Sequence, residues 1–154
     1  MIHLKTILHP TDFSEDSRYA LEVACALARD QAARVILLHV LPAPAGPGEA
    51  PTVRALHAEE DLRAYREEMA RELEKVRAAA PPAKVEPVLK EGEVAAVIAR
   101  TAAETPCDLI VIGTRGRNGG PAGQMGGVAR AVSRAATCPV VTVRAPVKVP
   151  PAGP

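Results

Sequence analysis

Tryptophan is absent and phenylalanine occurs once, so Phe13, Tyr19 and Tyr65 are the only aromatic side chains among 154 residues. The core must therefore be built from Val, Leu, Ile and Ala, which suits helices packed closely on a sheet. An excess of one charge is also missing: 19 basic residues against 18 acidic ones leave a net charge of +1. That balance, with no arginine-rich patch interleaved with aromatics, argues against a protein that holds nucleic acid by charge. The N-terminus carries no apolar run long enough for a signal peptide or a membrane span. Cys25, Cys107 and Cys138 are odd in number, far apart and without C-x-x-C spacing, so the expected compartment is a reducing cytoplasm, with no membrane partner. Cys25 and Cys138 read as small buried hydrophobes and Cys107 as the more exposed of the three. His3, His9, His39 and His57 have no ligand spacing with one another or with the cysteines, which argues against zinc.

What is present is an alternation of apolar strands and amphipathic helices in a chain of single-domain length. Residues 5–9 form a short strand stopped by Pro10. Ser14 is a suitable N-cap for a helix with Glu15 and Asp16 in its first turn, where the helix dipole favours acids, and Ala20, Val23, Ala24 and Leu27 repeat on its inner face. The continuous apolar run 35–41 reads as a strand covered on both sides, which points to a parallel sheet. Residues 42–52, with four prolines and two glycines, are expected to be a loop, and residues 53–79 a helix with Leu62, Tyr65, Met69, Leu73 and Val76 on one stripe. Pro87 would remove a ladder bond from a central strand, so the strand 84–90 belongs at a sheet edge. Gly92-Glu93 opens a helix with Val94, Val97, Ile98 and Thr101 inward, closed before Pro106. Val128, Val132 and Ala136 line a last helix, 138–144 is a final strand, and 146–154, with four prolines, is expected to be a disordered tail after a domain spanning 1–145.

The segment 108–130 is the most informative. Leu109 to Ile112 has the length of a buried strand, Gly113 ends it, and the next helical pattern opens only at Gly126 or Gly127, after a loop in which residues 116–127 include six glycines. A glycine loop leading into a helix N-terminus concentrates unpaired N–H groups and partial positive charge, a natural anion site. Arg115, Arg117 and Arg130 lie in or beside it, and Arg117 is the one taken as a candidate phosphate contact. Walker, dinucleotide and nucleophile-elbow motifs are all absent, and no general base stands near the loop apart from Asp12, so no catalytic residue is nominated.

The spacing Gly113-x2-Gly116-x9-Gly126, together with Pro10-Thr11-Asp12 after the first strand, resembles the universal stress protein family and, within it, the ATP-binding branch. The likeness covers about Leu4 to Arg144. One departure is Gly127, which stands where that branch has Ser or Thr. The resemblance implies a Rossmann-like α/β fold with a five-stranded parallel sheet in the order 3-2-1-4-5 and helices on both faces. It implies ATP, or ADP or AMP, with Mg²⁺ or Mn²⁺, held by Pro10, Thr11, Asp12, Val40, Gly113, Gly116, Arg117, Gly126, Gly127 and Val128. Thr11 and Asp12 would face the nucleoside and Val40 the base. It also implies a homodimer through the last strand, residues 140–143, which would otherwise be an apolar edge. Slow ATP hydrolysis, or a nucleotide-free protein acting through protein contacts, are the alternative functions.

Overall fold

The computed structural model describes residues 2–42, 59–115 and 125–146. The expected tail from 147 on, the loop residues 43–52 and the first residues of the second helix, 53–58, lie outside these. The elements in chain order are β1 (Thr6–Pro10), α1 (Glu15–Gln31), β2 (Arg34–Pro42), α2 (Glu59–Ala79), β3 (Lys84–Gly92), α3 (Val94–Glu104), β4 (Leu109–Gly113), α4 (Gly127–Ala135) and β5 (Val140–Val143). All strand pairs are parallel, in the order β3-β2-β1-β4-β5. The expected Rossmann-like architecture is therefore present, and β3, with Pro87, is an edge strand.

Alternation along the strands divides the core into two layers. Ile7, Val35, Leu37, Leu109 and Val111 point to one face and meet α1 and Leu73 of α2. Leu8, Ile36, Leu38, Ile110 and Ile112 point to the other, against Val97 and Ile98 of α3 and Ala129 and Val132 of α4. Small residues let α1 sit close to the sheet: Ala20, Ala24 and Cys25 are fully buried. Burial of each large aliphatic side chain contributes up to about 1.5–3 kcal/mol, and this replaces the missing aromatics as the source of cohesion.

Several details depart from the sequence reading. β1 and β2 run through Pro10 and Pro42, because a proline can close a strand where its missing N–H has no ladder partner. The buried stripe of α1 is Asp16, Ala20, Leu21, Ala24, Cys25 and Ala28, rotated so that Val23 and Leu27 are only partly covered. On α4 the inward residues are Ala129 and Val132, while Val128 is exposed: the helix begins at Gly127, which turns residue 128 away from the sheet. Cys107 is buried, not exposed, since it packs with Ala102, Ile110 and Val132 in the second layer. The last strand is shorter than expected at four residues, starting after Pro139.

Candidate nucleotide site

β1 and β4 are neighbours in the sheet, yet the chain leaves β1 toward α1 on one face and leaves β4 toward α4 on the other. Such a divergence opens a crevice at the carboxyl ends of the strands. A cleft of about 640 Å³ lies there, within the roughly 300–1,000 Å³ of small-molecule sites. Its walls include Pro10, Thr11, Asp12, Val40, Gly113, Gly126, Gly127 and Val128. Eight residues nominated from the sequence thus meet in one cavity; the other two, Gly116 and Arg117, lie outside the described residues.

The β1 side is a tightly wired turn. Thr11 N–H donates to Leu38 O at 2.8 Å, Phe13 N–H donates to Thr11 Oγ1 at 3.1 Å, and Thr11 O accepts from His39 Nδ1 at 2.8 Å. Phe13 holds φ at +65°, a conformation that side chains rarely adopt, and its ring lies 4.6 Å from that of His39. Asp12 Oδ1 accepts from Ser14 N–H at 3.0 Å and from Ser17 Oγ at 2.7 Å. This carboxylate therefore organises the entry to α1, whose N-cap is Ser14, while also lining the cleft.

The β4 side explains the glycines in a different way from the one expected. A Cβ on Gly113 would lie 2.9 Å from the backbone of Asp16 and Ser17, so glycine there permits α1 to approach the strand end. A Cβ on Gly126 would stand 2.8 Å from Thr114 O and 3.1 Å from Arg115 O, and the Gly126 N–H already donates to Thr114 O at 2.5 Å. The Gly126 amide is thus engaged in closing the loop and is not offered to an anion. The first intrahelical bond of α4 is Arg130 N–H to Gly126 O at 3.0 Å, and the helix has no side-chain cap. By helix geometry the N–H groups of residues 127–129 precede that bond and have no acceptor within the helix. A Cβ at Gly127 would meet nothing within 4 Å.

A residue that sequence reasoning left as a dipole-complementing acid proves central. Asp16 is 3% exposed. Its Oδ1 accepts from Arg115 Nη2 at 2.8 Å and Ala145 N–H at 2.9 Å, and its Oδ2 from Arg115 Nε at 2.9 Å and Arg115 N–H at 3.1 Å. The Arg115 guanidinium holds the Asp16 carboxyl down at about 2, against the opposing effect of burial and with help from the Ala145 amide. Arg115 is consequently tied to α1 and is not a phosphate ligand in this arrangement. The signal was in the spacing: Asp16, Ala20 and Ala24 share one face at i, i+4 and i+8, so a carboxylate on the buried stripe required a partner.

His9 is fully buried, with Nδ1 at 2.9 Å from Val111 O and no partner for Nε2 among the described residues. Burial lowers its pKa to about 4, outweighing the Val111 carbonyl and the Asp12 charge, so the ring is neutral near pH 7. Among the described residues no group of three or more His, Cys, Asp or Glu could hold a metal ion. A second cleft, about 440 Å³, lies at the amino ends of the strands between Lys5, Arg29, Arg34 and Lys84. The helices point their carbonyl ends to that side, and cations there balance the negative end of the helix dipole.

Three comparisons bear on this geometry. The sequence model described as the universal stress protein family matches residues 3–144. A universal stress protein of Bacillus subtilis (strain 168), YxiE, is 33% identical over 144 residues, covering 86% of this chain and 94% of its own. Among solved structures, a universal stress protein family member from Burkholderia pseudomallei superposes with a TM-score of 0.68 at 29% identity, over 94% of this chain and 99% of that one. A universal stress protein from Archaeoglobus fulgidus in complex with dAMP superposes at 0.62 with 24% identity, over 93% and 99% of the two chains, a likeness of fold.

Proposed function

The chain belongs to the universal stress protein family, and from that premise we propose that it binds ATP, or ADP or AMP, in the β1/β4 crevice and that the nucleotide stabilises or switches a homodimer formed through β5. The observation that carries this reading is the convergence of Thr11, Asp12, Val40 and the uncapped N-terminus of α4 on one cleft. The dAMP complex of the Archaeoglobus relative supports an adenine nucleotide as the ligand class. The residues present fit such a ligand. Thr11, Asp12 and Val40 would take the nucleoside, and the N–H groups of residues 127–129 would take phosphate, with Gly116 and Arg117 as further contacts. Mg²⁺ or Mn²⁺ would be held on phosphate oxygens, since no cluster of protein ligands stands among the described residues. The compartment is the cytoplasm, and neither a membrane nor nucleic acid is a partner. Among the described residues, no helix is long and apolar enough to cross a membrane.

A nucleotide-free protein acting through protein contacts is the second reading. It is favoured by Gly127, which supplies no hydroxyl, and by the engagement of the Gly126 amide with Thr114 O. A slow ATPase is the third, and it lacks a nominated base. Mass spectrometry of small molecules released when the purified protein is denatured, followed by calorimetric titration of emptied protein with ATP and Mg²⁺, separates the first two. Bound adenine nucleotide or a saturable heat supports the first, and neither supports the second. Phosphate release over time tests the third.

A further inference from the structure

We propose that Tyr65 forms the base-covering wall of the crevice and biases the site toward purine nucleotides; this rests on the adenine-nucleotide reading above. Tyr65 lines the cleft from α2 and is 38% exposed. Its position follows from the residue beside it: Arg66 Nε and Nη2 donate to Glu91 Oε2 at 3.3 and 3.1 Å. Glu91 is in register with Leu41 across β2 and β3, one residue beyond Val40. The ion pair therefore anchors this part of α2 to the end of β3, beside the end of β2 where Val40 lies.

Among the described residues the cleft has one other planar ring, the His39 imidazole, and it is already packed against Phe13 and bonded to Thr11 O. Tyr65 has neither a ring contact nor a hydrogen bond to any described residue. A large amphipathic ring left half-covered on a cleft wall is suited to stack on a planar ligand, and a purine offers it more face than a pyrimidine. The rest of α2 does not explain the exposure, because Leu73 is its one buried residue among those described. The helix thus presents Tyr65 at the cleft without burying it in the core.

The chain has two tyrosines and no tryptophan, so tyrosine emission in a Tyr19→Phe protein reports Tyr65 alone. Tyr19 is an exposed α1 residue outside the cleft and serves as the neutral background. Titration of that protein with ATP and Mg²⁺ is expected to change the emission along the same isotherm that calorimetry gives. Tyr65→Ala is expected to weaken ATP binding by roughly five- to fifty-fold and Tyr65→Phe by less than about twofold, the range for one base–aromatic stack. UTP is expected to bind wild type more weakly than ATP, with a smaller gap in Tyr65→Ala. Calorimetric binding of ATP with unchanged Tyr65 emission, or with Tyr65→Ala at wild-type affinity, overturns the proposal while the nucleotide reading stands. No heat with wild-type protein overturns both.

Discussion

The carboxylate of Asp16 and the guanidinium of Arg115 meet through two side-chain bonds, at 2.8 and 2.9 Å, across 99 residues of chain. Asp16 also holds the amides of Arg115 and Ala145, so one buried side chain ties the start of α1 to the segments leaving β4 and β5. Both segments border the crevice or the sheet edge. The pair is thus a brace between the proposed ligand site and the proposed dimer strand.

Acid should loosen that brace. The folded pKa of Asp16 lies at about 2 against an ordinary value of 3.8. A carboxylate with a depressed folded pKa contributes stability that is complete above the unfolded value and lost as pH falls toward the folded one. About 2 kcal/mol should therefore disappear between roughly pH 4 and pH 2. Asp16→Asn should remove this acid-dependent loss and lower the stability at pH 7 by a similar amount. Urea unfolding of both proteins across that range checks it; equal acid limbs would contradict the assignment.

His9 should act in a separate and higher window. Its folded pKa of about 4 lies below the ordinary 6.5, so protonation favours the unfolded chain. Stability is full above pH 6.5 and declines as pH falls toward about 4, by a total on the order of 3 kcal/mol. His9→Asn keeps a donor near Val111 O but cannot titrate. It should be less stable than wild type above pH 6.5, because of the volume lost in a full core, and should lack the decline between pH 6.5 and 4, so the gap narrows as pH falls. A wild-type protein with constant urea midpoint across that interval would show that His9 is not buried as described.

β5 is the sheet edge beyond β4, and Val141 on it is 38% exposed. An apolar edge with unpaired backbone groups is a template for another strand, and two copies can pair there about a twofold axis. Val141→Lys should convert the protein to monomer in light scattering with little change in circular dichroism. A wild-type protein that is monomeric at micromolar concentration removes the dimer from the proposal.

The strands and the crevice were legible because each rests on a local signal, apolar runs for buried strands, Pro87 for an edge and a glycine loop entering a helix, whereas the strand order came from the family resemblance. What was not legible depends on the angle at which elements meet. Gly113 reads as a phosphate glycine until α1 is seen to pass against it, and Arg115 reads as one more basic residue beside the loop until Asp16 is found behind it. Val128 and Cys107 were misplaced for the same reason. Helical spacing fixes which residues share a face but leaves the rotation of a short helix, or the cover over a loop residue, to tertiary packing.

Gly126 and Gly127 are adjacent, and the structure separates their roles. Gly126 has no room for a side chain, since its Cβ would enter the space of Thr114 O, and that contact belongs to the fold of the loop. Gly126→Val should therefore lose ATP binding and also lower the melting temperature, because the Gly126 N–H to Thr114 O bond breaks with it. Gly127 is different, with nothing within 4 Å of an added Cβ, so Gly127→Ser fits without displacement. Ser is a better helix residue than Gly, and its hydroxyl would add a donor beside the N–H groups that open α4. One such bond to a charged phosphate contributes on the order of 1–2 kcal/mol, a factor of roughly five to thirty in affinity. Calorimetric titration of wild type and both variants with ATP and Mg²⁺ checks the pair, with thermal melts run beside it. Tighter binding by Gly127→Ser locates phosphate at the start of α4. If that variant is more stable but binds ATP no better than wild type, the hydroxyl has improved only the helix, phosphate is not held there, and the nucleotide-free reading gains ground.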